Sequence, residues 1–396
     1  MDVPTMDEVS AAGRTVAVRV DVNSPLGADG GLADDARVRA HVDTIAELCD
    51  RGAAVAILAH QGRPGGDDFE RLRPHATRFD ELIDADVGYC EATFGRPARE
   101  TIGDLEGGAA VVLENTRFYS EEYMEFDPAG AAETHLVSDL VGVLDAYVND
   151  AFAAAHRSQP SLVGFPHVVP AYAGRVMERE LAVLGDIAST ARPRVYVFGG
   201  AKVADALSTM HHVLERDLAD TVLTAGLVGN LFLDEDGVDL GEASRALLRE
   251  RVAEPSRQTA REILETYRDR VVLPSDVAVD RGGARVELDV VELPTDEAAQ
   301  DVGEATIAEY ESILADAGTA VLNGPAGVFE QGPTALGTKR LFAAVAAADY
   351  SVVGGGDSAA AIRRFGIEGF DHVSTGGGAA LRLLSDASLP AVEALR

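Results

Sequence analysis

Residues 194–207 of this 396-residue chain read RVYVFGGAKVADAL, a stretch that predicts a strand, a glycine turn and a helix in direct succession. The run RVYVF is rich in residues that favour strands, two glycines interrupt it, and a helix is expected over residues 201–207. Such a junction directs backbone N–H groups and the positive end of a helix dipole at the turn, which suits an anion. Lys202 follows the glycines, and Lys339 is the only other lysine of the chain. Lys202 is therefore either an anion-binding group or an exposed lysine at a helix start, and the junction alone leaves both open.

The first half of the chain repeats a pattern in which an apolar run ends in polar residues. Strands are expected over residues 15–20, 54–58, 110–113 and 146–148, and helices over residues 37–51 and 171–188. The strands end in DVN, HQGRP, ENTRF and NDAF, the last with HR shortly after it. Because parallel strands place their carboxyl ends at one edge of a sheet, these arginines and histidines are expected to form one basic cluster. Such a cluster fits a small, multiply charged anion such as a phosphorylated acid.

The second half combines its predicted strands with glycine turns. Strands are expected over residues 221–224, 271–273, 320–322 and 351–353, and the turns that follow include NGPAG and GGGDS. Glycines without a Cβ let a phosphate approach the backbone closely, so their recurrence at one sheet edge favours a nucleotide. Asp357 follows the triple glycine and either holds a metal ion or caps its helix.

Composition limits the partners and the environment of the protein. The chain has 34 Lys and Arg against 66 Asp and Glu, and the formal net charge of −32 argues against nucleic acid or an anionic membrane as the main partner. Scarce lysine with abundant acidic residues is typical of proteins from salt-accumulating cells, where screening acts within about 3 Å at 1 M salt. The protein is therefore expected to loosen when salt is removed.

Length and terminal sequence predict a two-domain cytoplasmic protein. A chain of 396 residues exceeds one ordinary core. Cys49 and Cys90 form no CxxC pair, which fits a reducing compartment. The N-terminal MDVPTMDEVS is not a signal peptide, and no apolar run reaches the roughly 18 residues of a membrane span.

Several common nucleotide motifs are missing. Residues 332–339 place glycines before a lysine in the order G-T-K, which is not the G-K-[ST] of a P-loop. No GxGxxG follows the first strand, which disfavours an NAD-dependent dehydrogenase. That dehydrogenase and a noncatalytic anion-binding protein are kept as two alternatives for the function.

Eight motifs in order resemble the phosphoglycerate kinase family, in its halophilic archaeal type, over nearly the whole chain: RVDVNSPL, AHQGRP, LENTRF, YVNDAFAAAHRSQPS, GGAKVADAL, LNGPAGVFE, GGGDSAAAI and STGGGAALRLL. The resemblance implies an α/β fold with two domains, each a parallel β-sheet flanked by helices, joined by a helix and hinge. The implied regions are a 3-phosphoglycerate-binding domain (1–172), an interdomain helix (173–190), a nucleotide-binding domain (191–384) and a tail (385–396) that returns to the first domain.

The resemblance also implies the site residues. Arg37 and Lys202 would be catalytic. The residues implied to bind 3-phosphoglycerate are Asp21, Asn23, Arg37, His60, Gln61, Gly62, Arg63, Arg117 and Arg157. Those implied to bind ATP or ADP are Lys202, Asn323, Pro325, Glu330, Gly355, Gly356, Asp357 and Ser358, with Asp357 reaching Mg²⁺.

The implied reaction is reversible transfer of a phosphoryl group between 1,3-bisphosphoglycerate and ADP, in line and in a closed interdomain cleft, by a monomer. The acceptor of the reverse reaction is a carboxylate, so no general base is needed, and positioning and charge neutralisation must supply catalysis. The chain departs from common family choices at Ala206, where many members have a second lysine, and at Gln61 and Leu322, where leucine and tryptophan are common. No phosphate contact is therefore assigned to position 206.

Overall fold

The computed structural model describes residues 3–27, 30–385 and 387–396, which form two compact units. The first unit extends through Ala182 and also includes Ser388–Arg396, and the second unit is Val183–Ala387. No helix within the described ranges is both long enough and apolar enough to cross a membrane.

The first unit is built on a six-stranded parallel sheet. Its strands are β1 (Thr15–Arg19), β2 (Ala54–Leu58), β3 (Val87–Tyr89), β4 (Ala110–Val112), β5 (Ala146–Asn149) and β6 (Ala171–Ala173), in the order β3-β4-β2-β1-β5-β6. Helices cover both faces, so the central strands are apolar on both sides and read as continuous hydrophobic runs. Val18 and Ile57 belong to the core on one face, and Leu58 and Tyr147 to the core on the other. The helices are α1 (Ala36–Ala40), α2 (Val42–Asp50), α3 (Arg73–Leu82), α4 (Arg96–Gly103), α5 (Pro128–Ala132), α6 (His135–Leu140), α7 (Pro160–Val163) and α8 (Arg175–Gly185).

The second unit contains another six-stranded parallel sheet and a smaller antiparallel one. The parallel strands are β7 (Arg194–Phe198), β8 (Thr221–Thr224), β9 (Val271–Val272), β13 (Thr319–Asn323), β14 (Ser351–Gly354) and β15 (His372–Val373), in the order β15-β14-β13-β7-β8-β9. The antiparallel strands are β10 (Asp276–Arg281), β11 (Ala284–Asp289) and β12 (Ala299–Val302), in the order β11-β10-β12. The helices are α9 (Val203–Glu215), α10 (Gly226–Glu235), α11 (Glu242–Arg251), α12 (Glu254–Tyr267), α13 (Glu304–Ala315), α14 (Leu336–Ala346), α15 (Gly356–Phe365) and α16 (Gly377–Leu384).

The last residues of the chain pack on the first unit. They form α17 (Pro390–Glu393), and the N–H of Ala391 donates to the carbonyl of Ala155 over 3.1 Å. Residue 386, in the predicted tail 385–396, lies outside the described residues. The predicted domain boundaries stay a prediction.

The α/β class with two helix-flanked parallel sheets is confirmed, and two predicted helices are corrected. The helix expected over residues 37–51 is divided into α1 and α2 at His41, whose side chain bonds elsewhere. The helix expected over residues 171–188 starts too early, because Ala171–Ala173 pairs with β5 as strand β6. It also ends too late, because α8 stops at Gly185.

Candidate functional site

Basic side chains gather at the carboxyl ends of the central strands of the first unit. We call this set the arginine corner: Arg19, Arg37, Arg63, Arg117 and Arg157, with Asp21 and His60. Asp21 follows β1, His60 follows β2 and Arg117 follows β4. Their electrostatic interactions connect the whole set, since Arg157 interacts with Asp21, Arg19, Arg63 and Arg37, and Arg117 with Arg157. The predicted basic cluster is therefore present.

Asp21 is the carboxylate of this corner, and it forms an ion pair with Arg37. Nη1 of Arg37 lies 2.6 Å from Oδ2 of Asp21, whose side chain is buried while that of Arg37 is 40% exposed. Burial alone raises the pKa of the Asp21 carboxyl, but the guanidinium groups of Arg37 and Arg19 hold it well below its usual range. Asp21 therefore remains a carboxylate and orients the guanidinium of Arg37.

His60 is a neutral hydrogen-bond donor in this setting. Nη2 of Arg19 lies 3.0 Å from its Nδ1, and because a guanidinium can only donate, Nδ1 accepts and the ring hydrogen is on Nε2. Burial, aided by the positive charges of Arg19, Arg117 and Arg157, lowers the pKa of His60 well below its ordinary value despite the opposing effect of Asp21. Nε2–H is thus held as a neutral donor across the physiological range.

Sequence reasoning missed Arg19, which is fully buried at the end of β1. Its Nε donates to the hydroxyl of Ser161 over 2.9 Å, and its other nitrogens bond to Val20 and His60. The only signal in the sequence is an arginine inside the otherwise apolar run TVAVRV.

Arg117 is a buried cation with donor capacity to spare. Its Nη1 donates to the carbonyl of Gly62 over 2.7 Å, while its buried Nε has no hydrogen-bond partner among the described residues. Burial, Arg157 and Arg19 lower the pKa of Arg117 to about 10, so it is still charged at neutral pH. Arg157 is half-buried and Arg63 is exposed. Buried cations that repel one another are costly unless an anion joins them, so the chemistry of this corner fits an anion.

Asn23, Gln61 and Gly62 hold the loops of the corner together. Oδ1 of Asn23 accepts the N–H of Gly62 over 2.8 Å, and a Cβ on Gly62, whose φ is +66°, would lie 2.3 Å from the carbonyl oxygen of Asp68. The fully buried amide of Gln61 bonds to both main-chain groups of Ser24 at 2.9 Å. The amide of Gln61 is thus engaged in joining loops, and its contact with a substrate stays a prediction.

Glycine turns meet at the corresponding edge of the second unit's parallel sheet. The N–H groups of Gly199 and Gly200 donate to the carbonyls of Asn323 and Pro325 over 2.8 and 2.7 Å. A Cβ on Gly199 would lie 2.3 Å from the carbonyl oxygen of Pro325. The expectation that this turn offers free N–H groups to an anion is therefore corrected, because these glycines allow one turn to pack against another.

Lys202 and the start of α15 are the exposed part of this edge. Nζ of Lys202 lies 3.2 Å from Oδ2 of Asp357, and the two side chains are 64% and 59% exposed. Gly355 precedes the helix with a φ of +100°, and nothing within 4 Å would meet a Cβ on Gly356. The hydroxyl of Ser358 accepts the N–H of Gly324 over 2.9 Å and so joins two turns. We call Lys202, Asn323, Pro325 and Gly355–Ser358 the glycine corner.

A cavity of about 360 Å³ lies next to the glycine corner within the second unit, in the size range of small-molecule sites. Of the predicted nucleotide residues, Pro325, Glu330 and Asp357 line it, and the others are not among its lining residues. Its wall also includes Leu227 and Gln300, which were not predicted. Both come from elements whose packing is not evident in the sequence, so no motif could have indicated them.

The residues present fit a magnesium ion that arrives with a nucleotide. Within the described ranges, no three His, Cys, Asp or Glu side chains are grouped to hold a metal ion. Mg²⁺ bound with phosphates commonly uses only one or two protein carboxylates. The exposed carboxylate of Asp357, which lines the cavity, is a group of this kind.

Comparisons with known proteins agree over the full length of the chain. The family model described as phosphoglycerate kinase matches residues 6–387. A phosphoglycerate kinase of Natronomonas pharaonis is 60% identical over 394 residues, covering 99% of both chains. One of Halobacterium salinarum is 59% identical and covers 100% of both. The crystal structure of phosphoglycerate kinase from Pyrococcus horikoshii OT3 matches with a TM-score of 0.93 at 42% identity, covering 99% of this chain and 98% of that one.

Proposed function

Since the chain belongs to the phosphoglycerate kinase family, we infer that it catalyses the reversible transfer of a phosphoryl group from 1,3-bisphosphoglycerate to ADP, giving 3-phosphoglycerate and ATP (EC 2.7.2.3). The observation that carries this inference is the full-length match at 60% identity. The buried cations of the arginine corner and the cavity beside the glycine corner support it. It is a transferase of glycolysis and gluconeogenesis.

We assign the arginine corner to 3-phosphoglycerate. The free Nε of Arg117 and the half-buried Arg157 would bind charged oxygens of this substrate, with Arg63 at the exposed side. His60 Nε2–H would donate to a substrate oxygen without adding charge. Arg37, oriented by Asp21, would face the carboxylate end where the phosphoryl group is transferred.

The transfer itself needs no general base from the protein. The acceptor carboxylate of 3-phosphoglycerate is already ionised at neutral pH, so the protein must align the two reacting oxygens in line and neutralise charge. Arg37 does so on the acceptor side and Lys202 on the donor side, where its exposed ammonium can leave Asp357 for a phosphate.

We assign the glycine corner and its cavity to ATP or ADP. The base and sugar would occupy the cavity along Pro325 and Glu330, and the phosphates would meet the N-terminus of α15 at Gly356. Asp357 would hold the Mg²⁺ of the nucleotide, which neutralises phosphate charge when bound.

We further propose a monomeric, cytoplasmic enzyme that works in concentrated salt. The support is the net charge of −32 and the identity of 59–60% with proteins of Natronomonas and Halobacterium. Removal of KCl is expected to lower its melting temperature, because its scattered carboxylates then repel one another over longer distances.

The test of the proposed function is a coupled assay with 3-phosphoglycerate and ATP in molar KCl. Turnover is expected with both substrates and Mg²⁺, and it should stop when chelator removes the metal. Absence of turnover by the folded protein with both substrates would contradict the assignment, and an absorbance change with NADH alone would favour the dehydrogenase alternative.

A further inference from the structure

We propose that His41, the buried residue between α1 and α2, positions the Asp21–Arg37 pair and, through Asp150, ties that pair to the first turn of α8. The proposal rests on the function proposed above for Asp21 and Arg37. It adds two side chains, His41 and Asp150, that are outside the set assigned to substrate.

The imidazole of His41 bonds to two parts of the first unit at once. Nδ1 lies 2.7 Å from Oδ2 of Asp150, and the two side chains are 3% and 0% exposed. The main-chain N–H of Asp21 donates to Nε2 over 3.1 Å. Because a carboxylate only accepts, Nδ1 carries a hydrogen, and because a main-chain N–H only donates, Nε2 is the acceptor for Asp21. Asp150 therefore sets the tautomer that holds Asp21.

His41 also ends the short helix that carries Arg37. α1 has five residues, and His41 is its C-terminal cap. A helix of this length is not stable by itself and depends on tertiary anchors. The backbone of His41 thus fixes the end of the Arg37 helix, while its side chain fixes the main chain of Asp21. Arg37 and Asp21 then meet at 2.6 Å, and one residue determines where both partners stand.

Asp150 extends the connection to α8. Its Oδ1 accepts the N–H of Val176 over 2.8 Å, and a Cβ on Gly174 would lie 2.2 Å from the same oxygen. Both carboxylate oxygens are therefore used, one toward His41 and one toward α8. A buried chain of satisfied hydrogen bonds is rigid, so a shift of the Asp21 loop should reach the first turn of the helix.

The helix start has a second anchor, which makes the proposal testable without detaching α8. The N–H of Arg175 donates to the hydroxyl of Thr44 over 3.1 Å, and its guanidinium bonds to Glu47 on α2. Loss of the His41 connection should therefore leave α8 folded and change only how the arginine corner is held.

The experiment compares His41→Leu, His41→Gln and Asp150→Asn with the unaltered protein in the coupled assay. His41→Leu is expected to lower kcat and raise KM for 3-phosphoglycerate about ten- to hundredfold, as for a misplaced catalytic group, with KM for ATP changed less than about twofold. Glutamine can still present an acceptor to the Asp21 N–H, so His41→Gln should recover part of kcat. Asp150→Asn keeps an oxygen for Val176 and removes the carboxylate that sets the tautomer, so it should show the same selective loss.

Thr134→Val is the matched control. Thr134 is another buried polar residue of the first unit, whose hydroxyl donates to the carbonyl of Ala131 over 2.6 Å, and neither residue belongs to the arginine corner. This variant should change kcat and KM for 3-phosphoglycerate less than about twofold. Equal changes in Thr134→Val and His41→Leu would overturn the proposal, as would equal effects on the two substrates or no recovery in His41→Gln.

Hydrogen exchange at the Val176 amide tests the link to α8 directly. 3-Phosphoglycerate should slow this exchange in the unaltered protein and leave it unchanged in folded His41→Leu. Slowing of the same size in both proteins would contradict the link. Absence of turnover in the unaltered protein would overturn the proposed function instead. If the unaltered protein is active and His41→Leu has the same kcat and KM, only this proposal is overturned.

Discussion

Each of the two parallel sheets has its candidate site at the carboxyl ends of its strands, but one site is built from side chains and the other mainly from backbone turns. In the first unit the edge is built from buried side chains, with Arg19 and Arg117 nearly inaccessible and Asp21 held ionised among them. In the second unit it is built from turns packed backbone to backbone, and its charged groups, Lys202 and Asp357, are more than half exposed. The fold therefore supplies only a location, and chemistry depends on the residues placed there.

This difference has consequences for how each corner responds to a ligand. Buried cations such as Arg117 are oriented before a substrate arrives, so the cost of arranging them is met during folding. Lys202 and Asp357 neutralise each other at 3.2 Å in an exposed pair of little stability, and a phosphate can separate them. Variants in the first unit should therefore affect stability and binding together, and variants of the exposed pair should affect turnover alone.

The largest effect is expected from Lys202→Ala. Loss of the ammonium removes charge stabilisation from the transferring phosphoryl group, which should lower kcat about 10²–10³-fold with an unchanged melting temperature. The measurement is the coupled assay, and Lys339→Ala, which removes the other lysine at an exposed position of α14, should keep kcat. A similar loss of kcat in both variants would show that turnover depends on the net charge of the protein and not on the position of Lys202.

Arg117→Leu should act mainly on 3-phosphoglycerate. A hydrogen bond to a charged group contributes about 1.5–3 kcal/mol, so KM for this substrate should rise about ten- to hundredfold with KM for ATP nearly constant. The steady-state measurement is repeated with Arg96→Leu, which removes an exposed arginine paired with Glu100. An unchanged KM for 3-phosphoglycerate in Arg117→Leu would contradict the assignment of Arg117 to the binding site of this substrate.

Gly355→Ala tests whether backbone shape matters in the second unit. Its φ of +100° is strained for alanine, and the new Cβ would lie 3.0 Å from Oδ1 of Asn323. Strain of this kind costs about 1–3 kcal/mol, so KM for ATP should rise severalfold and the midpoint of urea unfolding should fall. Gly366→Ala shares the positive φ at the other end of α15 but has open space around it, and it should lower the midpoint without changing KM for ATP.

The smallest effect concerns pH and the first unit. Burial lowers the pKa of His75 to about 4, so between about pH 4 and 6.5 the unfolded chain binds a proton that the folded chain does not. Stability must then fall as the pH is lowered below 6.5, and His75 should account for about 2 kcal/mol of that loss at pH 5. Between pH 7 and pH 5, the free energy of unfolding measured in urea should fall less in His75→Leu than in the unaltered protein. Equal losses would contradict His75 as the cause.

The sequence predicts the parallel sheets well because buried strands read as apolar runs. Residues 54–58 and 221–224 are strands with the predicted bounds. The antiparallel sheet escaped prediction, since runs such as ARVELD in β11 are polar and partly exposed. The break at His41 also escaped, because it depends on hydrogen bonds to Asp21 and Asp150, far away in the sequence.

Candidate residues were identified by strand ends and by resemblance, but their roles depend on packing. Nothing near Lys202 in the sequence indicates Asp357, its ion-pair partner much later in the chain. Gly199 and Gly356 look alike as sequence, yet one is packed against Pro325 and the other faces open space. Only the packing of the turns shows which glycine allows one turn to approach another and which leaves open space.

The central claim, that each corner binds its own substrate, is tested most directly by titration calorimetry of 3-phosphoglycerate and of Mg-ADP into Arg117→Leu and Lys202→Ala. The account predicts a selective result, in which Arg117→Leu weakens the binding of 3-phosphoglycerate alone and Lys202→Ala leaves 3-phosphoglycerate affinity intact. If Arg117→Leu weakened Mg-ADP instead, or if both variants weakened both ligands equally, the assignment of the two corners would be contradicted.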